Sequence, residues 1–199
     1  MPAFLHIHVA KACLEMGKPF ATASYISPDL KQLSGEFEKA KLLCMNEIGV
    51  DPGIDIMSTV KVVDEVRGRG GKIVSYSSWC GGLPAPECRD NPFGYKFSWT
   101  PRGALLSLLN EARYLKNGEE TVVPSSKLLR SAKSMPGMIE GADTEGYPNR
   151  NSFPFREDFK MKDTTSFLRG TIRYEGFSAL MHTFIQCGFL SVSPDDTIF

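Results

Sequence analysis

Neither sign of charge is in excess. Lys and Arg number 23 and so do Asp and Glu, so the chain has no electrostatic footprint for nucleic acid or for an acidic membrane surface. Long apolar runs are missing too: none approaches the ~20 residues that cross a bilayer. The opening MPAFLHIHVAKACLEMG lacks a charged n-region ahead of an apolar h-region, so no signal peptide is read and a cytoplasmic protein is expected. Paired cysteines are absent. Cys13, Cys44, Cys80, Cys88 and Cys187 are odd in number and contain no CxxC, which argues for reduced thiols over a disulfide framework or a zinc site. Among the three histidines, His6 and His8 lie two apart, on different faces of a helix, and make a poor metal pair. No GxGxxG follows any expected strand, and no acid stands some twenty residues beyond one to hold a ribose.

What is there suffices for one domain or two small ones: 199 residues, 42% of them apolar. The organising stretch is Cys80 to Trp99, CGGLPAPECRDNPFGYKFSW. It is dense in Gly and Pro and follows neither a helical nor an alternating period, as expected of a built, irregular surface. Its aromatic side chains need something to pack on, which argues against disorder.

In chain order, Pro2 to Gly17 reads as a helix and Pro19 to Ala23 as a short strand. Ser24 and Tyr25 follow that strand at once, the usual place for ligand contacts in an open α/β sheet. Ser27 reads as a cap for a helix from Asp29 to about Ala40. The apolar run Lys41 to Val50 suits a buried parallel strand. It ends in Asp51, Pro52 and Gly53, before a helix from Ile54 to Val66. Asp51 reads either as a polar-ligand contact at a strand end or as the N-cap of that helix.

This order suggests the second half of a doubly wound, Rossmann-like sheet over residues 1–69. An α+β domain with a mixed sheet is expected over 70–199, where the period changes to alternation from Ile73. There a helix is read from Pro101 through about Tyr114, with Leu105, Leu106, Leu108, Leu109 and Ala112 as its buried stripe. A turn and strand then lead to a short helix, Ser126 to Ser134. Ser134 to Ser152 reads as loop and edge strand, Phe167 to Gly176 as a strand, and Phe177 onward as a helix stopped by Gly188. His182 reads as a packed histidine on that last helix.

The segments SYISP (24–28), MNEIGVDPGID (45–55), CGGLPAPECRDNPFGYKFSWTPRG (80–103), GYPNR (146–150) and RGTIRYEGF (169–177) together resemble the saccharopine reductase family, in the same order over nearly the whole chain. The resemblance implies an NADP-dependent oxidoreductase that condenses glutamate with 2-aminoadipate 6-semialdehyde through an imine and reduces it to saccharopine. It implies that Ser24, Tyr25, Asp51, Arg150, Thr171, Ile172 and Arg173 contact saccharopine. Asp51, Pro52, Gly53 and Thr100 would approach the nicotinamide end of NADP. It also implies a homodimer whose partners are small molecules, with no nucleic acid and no membrane.

Arginine in the substrate set agrees with a ligand bearing three carboxylates, since a guanidinium meets a planar carboxylate with two parallel hydrogen bonds. Asp51 and Tyr25 would orient the reacting amine. Cys80, beside Gly81 and Gly82, is given a positioning role, because no adjacent base is evident to make it a nucleophile. Family members begin with a glycine-rich phosphate-binding turn and extend further at their carboxyl ends; this chain is expected to lack both. Ile56 and Asn151 stand where the family pattern leads us to expect a His and an acid. The alternative expectation is a non-catalytic relative that serves for dimerisation or ligand binding.

Overall fold

The computed structural model describes residues 1, 3–98 and 100–191. The expected helix start at Pro2 and the end of the organising loop at Trp99 lie outside them. The chain is α/β and divides into two compact units, Met1–Gly71 and Lys72–Phe199.

In the first unit, one 3-10 turn leads into α1 (His6–Glu15), which stops at Met16 before Gly17 turns the chain with φ 62°. Strand β1 (Phe20–Ala21) follows, then α2 (Pro28–Gln32), α3 (Ser34–Lys39), β2 (Cys44–Met45) and α4 (Ile54–Gly68). β1 and β2 are parallel, with Phe20 opposite Cys44 and Ala21 opposite Met45. Ala10, Phe20, Leu30, Leu33 and Phe37 form the buried centre, each large side chain stabilising by about 1.5–3 kcal/mol.

The expected single helix to Ala40 is two short ones, because the chain breaks at Leu33 between them. It starts at Pro28, one residue early, and Ser27 caps it by accepting from Leu30 N at 3.2 Å. The long buried strand expected over Lys41 to Val50 is also corrected. Positive φ at Lys41 (54°) and Glu47 (58°) cuts the extended run short at both ends. Among the described residues β2 pairs on one side only, which leaves Leu43 59% and Met45 43% exposed.

The second unit holds β3 (Ser75–Cys80), α5 (Pro101–Leu106), β4 (Ala112–Lys116), β5 (Glu119–Val123), α6 (Ser125–Leu128), β6 (Lys133–Ser134), β7 (Thr144–Pro148), α7 (Phe153–Asp158), β8 (Ser166–Tyr174) and α8 (Phe177–Gln186). Its six-stranded sheet is mixed. β8 pairs in parallel with β3 and antiparallel with β4 and β7, while β5 and β6 add antiparallel strands at the two ends. Nine-residue β8 therefore touches three other strands.

Three expectations here are corrected. The helix from Pro101 stops at Leu106, continues as a 3-10 turn through Leu109, and Asn110 is extended (ψ 150°), so Ala112 to Tyr114 belong to β4. The short helix after β5 ends as a 3-10 turn at Ser131, and Lys133 and Ser134 pair with β7. β7 is an inner strand with all five residues buried, because β8 and β6 flank it. Arg113 and Glu120 form an ion pair at 2.5 Å across the β4–β5 hairpin, which turns at Asn117 and Gly118, both with positive φ.

One core cluster gathers Tyr95, Leu108, Ala112, Leu128, Leu129, Tyr147, Phe177 and Met181. Around Phe167, Tyr76 stacks at 4.5 Å between centroids and Phe159 packs at 6.3 Å. Trp79 lies against two glycines: a Cβ at Gly170 would come within 2.2 Å of its ring, and one at Gly146 within 2.7 Å. Only a bare backbone lets the indole lie flat there.

Candidate functional site

In the first unit the chain leaves the carboxyl ends of both parallel strands in loops that are laced together. After β1, Ser24 N donates to Thr22 Oγ1 at 3.1 Å, and Ser24 O accepts from Glu47 N at 3.1 Å. Ile48 N donates to Thr22 O at 3.3 Å and Ile26 N to Glu47 Oε1 at 3.2 Å. This stitching brings Tyr25 to Asp51, and the phenol donates to Asp51 Oδ1 at 2.5 Å. Tyr25 is 38% exposed, so the pair is open to solvent and to a ligand.

Asp51 is not the cap of α4. Gly53 holds that position, and its N–H donates to Asp55 Oδ1 at 2.9 Å. The Asp51–Pro52 peptide is cis and Gly53 has φ 151°. Gly49 N donates to Pro52 O and Ile54 N donates to Gly49 O, each at 2.9 Å. A Cβ on Gly53 would lie 2.0 Å from Gly49 O, so the turn that presents Asp51 depends on glycine. His6 is engaged locally, with Nδ1 3.1 Å from Thr22 Oγ1.

In the second unit Cys80 closes β3 opposite Thr171, and the next residue makes a close approach: a Cβ on Gly81 would lie 2.2 Å from Ile172 O. Thr171 and Arg173 on β8 face Tyr147 and Glu145 on β7, their register partners. Arg173 is 7% exposed. Its Nη1 donates to Ile172 O at 3.2 Å, and its buried Nε has no hydrogen-bond partner among the described residues. The neighbouring Glu145 carboxylate is committed elsewhere, accepting from Gly176 N at 3.2 Å and Ser178 N at 2.5 Å at the start of α8.

Tyr147 OH is buried without a hydrogen-bond partner among the described residues. Burial pushes its phenol up from the ordinary 10.0; the Arg173 charge opposes this, although no Arg173 N–H reaches the hydroxyl in hydrogen-bonding geometry. Arg150 is exposed with φ 47°, and its carbonyl accepts from Arg113 N at 2.9 Å. Thr100 caps α5, its Oγ1 accepting from Gly103 N at 3.3 Å.

Thus Ser24, Tyr25, Asp51, Pro52 and Gly53 come together in one unit, and Cys80, Thr171, Ile172 and Arg173 in the other. Sequence reasoning missed Glu145 and Tyr147. The strand that carries them, Thr144 to Pro148, is short and buried throughout, so no alternation marks it between Gly141 and Arg150. It also missed Arg169, buried with its guanidinium carbon 3.8 Å from the Phe155 ring centroid. No group of three or more His, Cys, Asp or Glu able to hold a metal occurs among the described residues.

The fold is thus that of an α/β protein, with a hydrogen-bonded Tyr–Asp pair at the ends of the parallel strands in the first unit and a buried guanidinium with an unused Nε–H in the second. The chain belongs to the family described as the saccharopine dehydrogenase C-terminal domain, which it matches over residues 49–199. It is 44% identical over 196 residues to saccharopine dehydrogenase [NADP(+), L-glutamate-forming] of Schizosaccharomyces pombe, covering 98% of this chain and 43% of that protein. It is 39% identical over 191 residues to the mitochondrial alpha-aminoadipic semialdehyde synthase of Mus musculus, covering 96% of this chain and 21% of that protein. A solved structure of apo histidine-tagged saccharopine dehydrogenase (L-Glu forming) from Saccharomyces cerevisiae superposes with a TM-score of 0.86 at 43% identity, over 96% of this chain and 43% of the other. The chain therefore spans less than half the length of these relatives.

Proposed function

We propose that this chain is the substrate-handling part of an NADP-dependent, L-glutamate-forming saccharopine dehydrogenase in lysine synthesis. The reaction joins the glutamate amine to 2-aminoadipate 6-semialdehyde with loss of water, and the imine gains a hydride at carbon and a proton at nitrogen to give saccharopine. The observation that carries the reading is identity of 43–44% to enzymes of that name over nearly the whole chain. The Tyr25–Asp51 pair at the strand ends supports it chemically.

In this reading NADPH, when bound, supplies the hydride. Asp51, Pro52, Gly53 and Thr100 would hold its nicotinamide end; in support, Gly53 lets the backbone of Asp51 and Pro52 turn tightly, and Thr100 lies at a helix start. The sequence contains no glycine-rich turn for the pyrophosphate. Asp51 would accept a hydrogen bond from the secondary amine while Tyr25 fixes the carboxylate's orientation. Ser24, Thr171 and the backbone at Ile172 would contact saccharopine, and Arg150 and Arg173 would take its carboxylates. Cys80 would sit beside the amine as a positioning residue.

In the same reading residues 1–69 form part of a Rossmann-like domain and 70–199 the saccharopine and dimerisation domain of a cytoplasmic homodimer. Calorimetry with saccharopine and with NADPH, alongside NADPH absorbance during saccharopine oxidation, tests this. Saccharopine binding that falls at least tenfold in Asp51→Asn and Arg173→Ala is expected, as for the loss of one charge-assisted contact each. Saccharopine binding without NADPH binding or turnover would favour a non-catalytic binding module. Absence of saccharopine binding would overturn both.

A further inference from the structure

The loop from Cys80 to Ser98 packs on α8, with Phe93 5.7 Å from Phe184 and Tyr95 5.0 Å from Phe177 between ring centroids. Beside it lies a cleft of about 350 Å³ whose lining includes Arg89, Asn91, Tyr95, Tyr174, Glu175 and Phe177. None of its lining residues belongs to the expected saccharopine set. The walls are held in place: Asn91 Nδ2 donates to Tyr95 O at 2.9 Å, Phe93 N donates to Asn91 Oδ1 at 3.0 Å, and Tyr174 OH donates to Pro84 O at 2.6 Å.

The two cations of this loop differ in their surroundings. Lys96 is neutralised by Asp90 at 2.7 Å. Arg89 has neither a hydrogen bond nor an ion pair with any described residue, and its guanidinium carbon rests 4.1 Å from the centroid of the Tyr174 ring. On the other side the guanidinium lies beside the backbone of Gly94, where a Cβ would stand in ordinary contact with it, 3.5 Å from Arg89 Nε and Nη2. A guanidinium stacked on a fixed ring keeps its in-plane N–H groups for a ligand, and two parallel N–H groups match a carboxylate. Glu175, on the same cleft, likewise has no ion-pair partner among the described residues, and its backbone is fixed by Glu175 N donating to Asp143 O at 3.1 Å.

One unpaired cation and one unpaired carboxylate on a shared aromatic-walled cleft complement a zwitterion. The geometry points to a binding site for a free α-amino acid, its carboxylate on Arg89 and its ammonium on Glu175. A simple anion would meet the Glu175 charge as a repulsion. The assignment does not depend on the reductase reading.

The test is calorimetric titration of the 199-residue chain with L-glutamate, with glutarate, which lacks the ammonium, and with inorganic phosphate. Glutamate is expected to bind more tightly than either. Arg89→Ala should weaken it roughly 10- to 100-fold, as for one charge-assisted bidentate contact, and Arg89→Lys should recover part of the loss. Glu175→Gln should abolish the preference for glutamate over glutarate. Circular dichroism verifies that each variant is folded, and two different Arg89 replacements guard against a misfolded one.

Equal glutamate affinity in the wild type and the Arg89 variants, or no glutamate binding at millimolar concentration, overturns the site. Phosphate binding as tight as glutamate, unaffected by Glu175→Gln, would make it a plain anion site and overturn the amino-acid assignment. Glutamate binding lost in Asp51→Asn but kept in Arg89→Ala would assign the ligand to the first unit's site instead. That result would refute this proposal while leaving the reductase reading intact.

Discussion

Substituting Gly170 by alanine places a methyl group on the central strand, aimed at the face of Trp79. The new Cβ would lie 2.2, 2.4 and 2.8 Å from three ring atoms, against the ~3.5–4.0 Å at which carbon atoms rest. The indole must therefore move by about 1.5 Å or β8 must bend, and overpacking of this kind costs about 1–3 kcal/mol. The substitution also removes a flexible glycine from the unfolded chain, which offsets roughly 0.4–1 kcal/mol. A net loss of about 1–2 kcal/mol remains. With a urea slope of ~1–3 kcal/mol per molar, the midpoint should fall by roughly 0.3–2 M. The assay is urea unfolding by circular dichroism of the wild type, Gly170→Ala, Trp79→Ala and the double variant. In the Trp79→Ala background the methyl has room, so Gly170→Ala should cost almost nothing there. The same cost in both backgrounds, or less than about 0.3 kcal/mol in the wild type, would refute the account of Trp79 on its glycines.

Gly53→Ala should destabilise the first unit by at least about 1–3 kcal/mol, from backbone strain at φ 151° alone. Hydrogen exchange should speed up across residues 44–60 and stay unchanged along β8; equal protection would show that the turn accepts a side chain. Tyr147 titrates above its ordinary 10.0 when folded, so the unfolded chain loses that proton first as pH rises. Stability contributed by the neutral phenol is thus complete below about pH 10 and lost as pH climbs toward the folded value. Tyr147→Phe should flatten that alkaline decline in thermal unfolding between pH 9 and 11, and an unchanged profile would locate its cause elsewhere.

Elements with one dominant signal were legible in the sequence. α4 and α8 follow helical spacing, Ser27 is a cap, and β8 falls where a compact strand was expected. Tyr25 and Asp51 were singled out by their place after strands, and the fold brings them together. The failures share a cause, since in each case pairing partners distant in sequence decide the outcome. Ala112 continues the apolar spacing of the preceding helix, but pairing with Val123 of β5 recruits it into a strand. The run from Lys41 looks like a buried strand, yet it has a single paired neighbour. Glu145 and Tyr147 gain their meaning only opposite Arg173 and Thr171. No local pattern announces that register.

The parallel pairing of β3 with β8 has a consequence for how the chain is made. The bond between Val74 and Thr165 spans 91 residues, and every strand of the second unit except β5 and β6 pairs directly with β8. A nascent chain emerging from the ribosome can close the β4–β5 and β6–β7 hairpins early, but joining them to each other and to β3 waits until Tyr174 is out. Until then the exposed strand edges are open to pairing with other chains. Synthesis that stalls before β8 should therefore yield aggregates rather than a smaller folded protein.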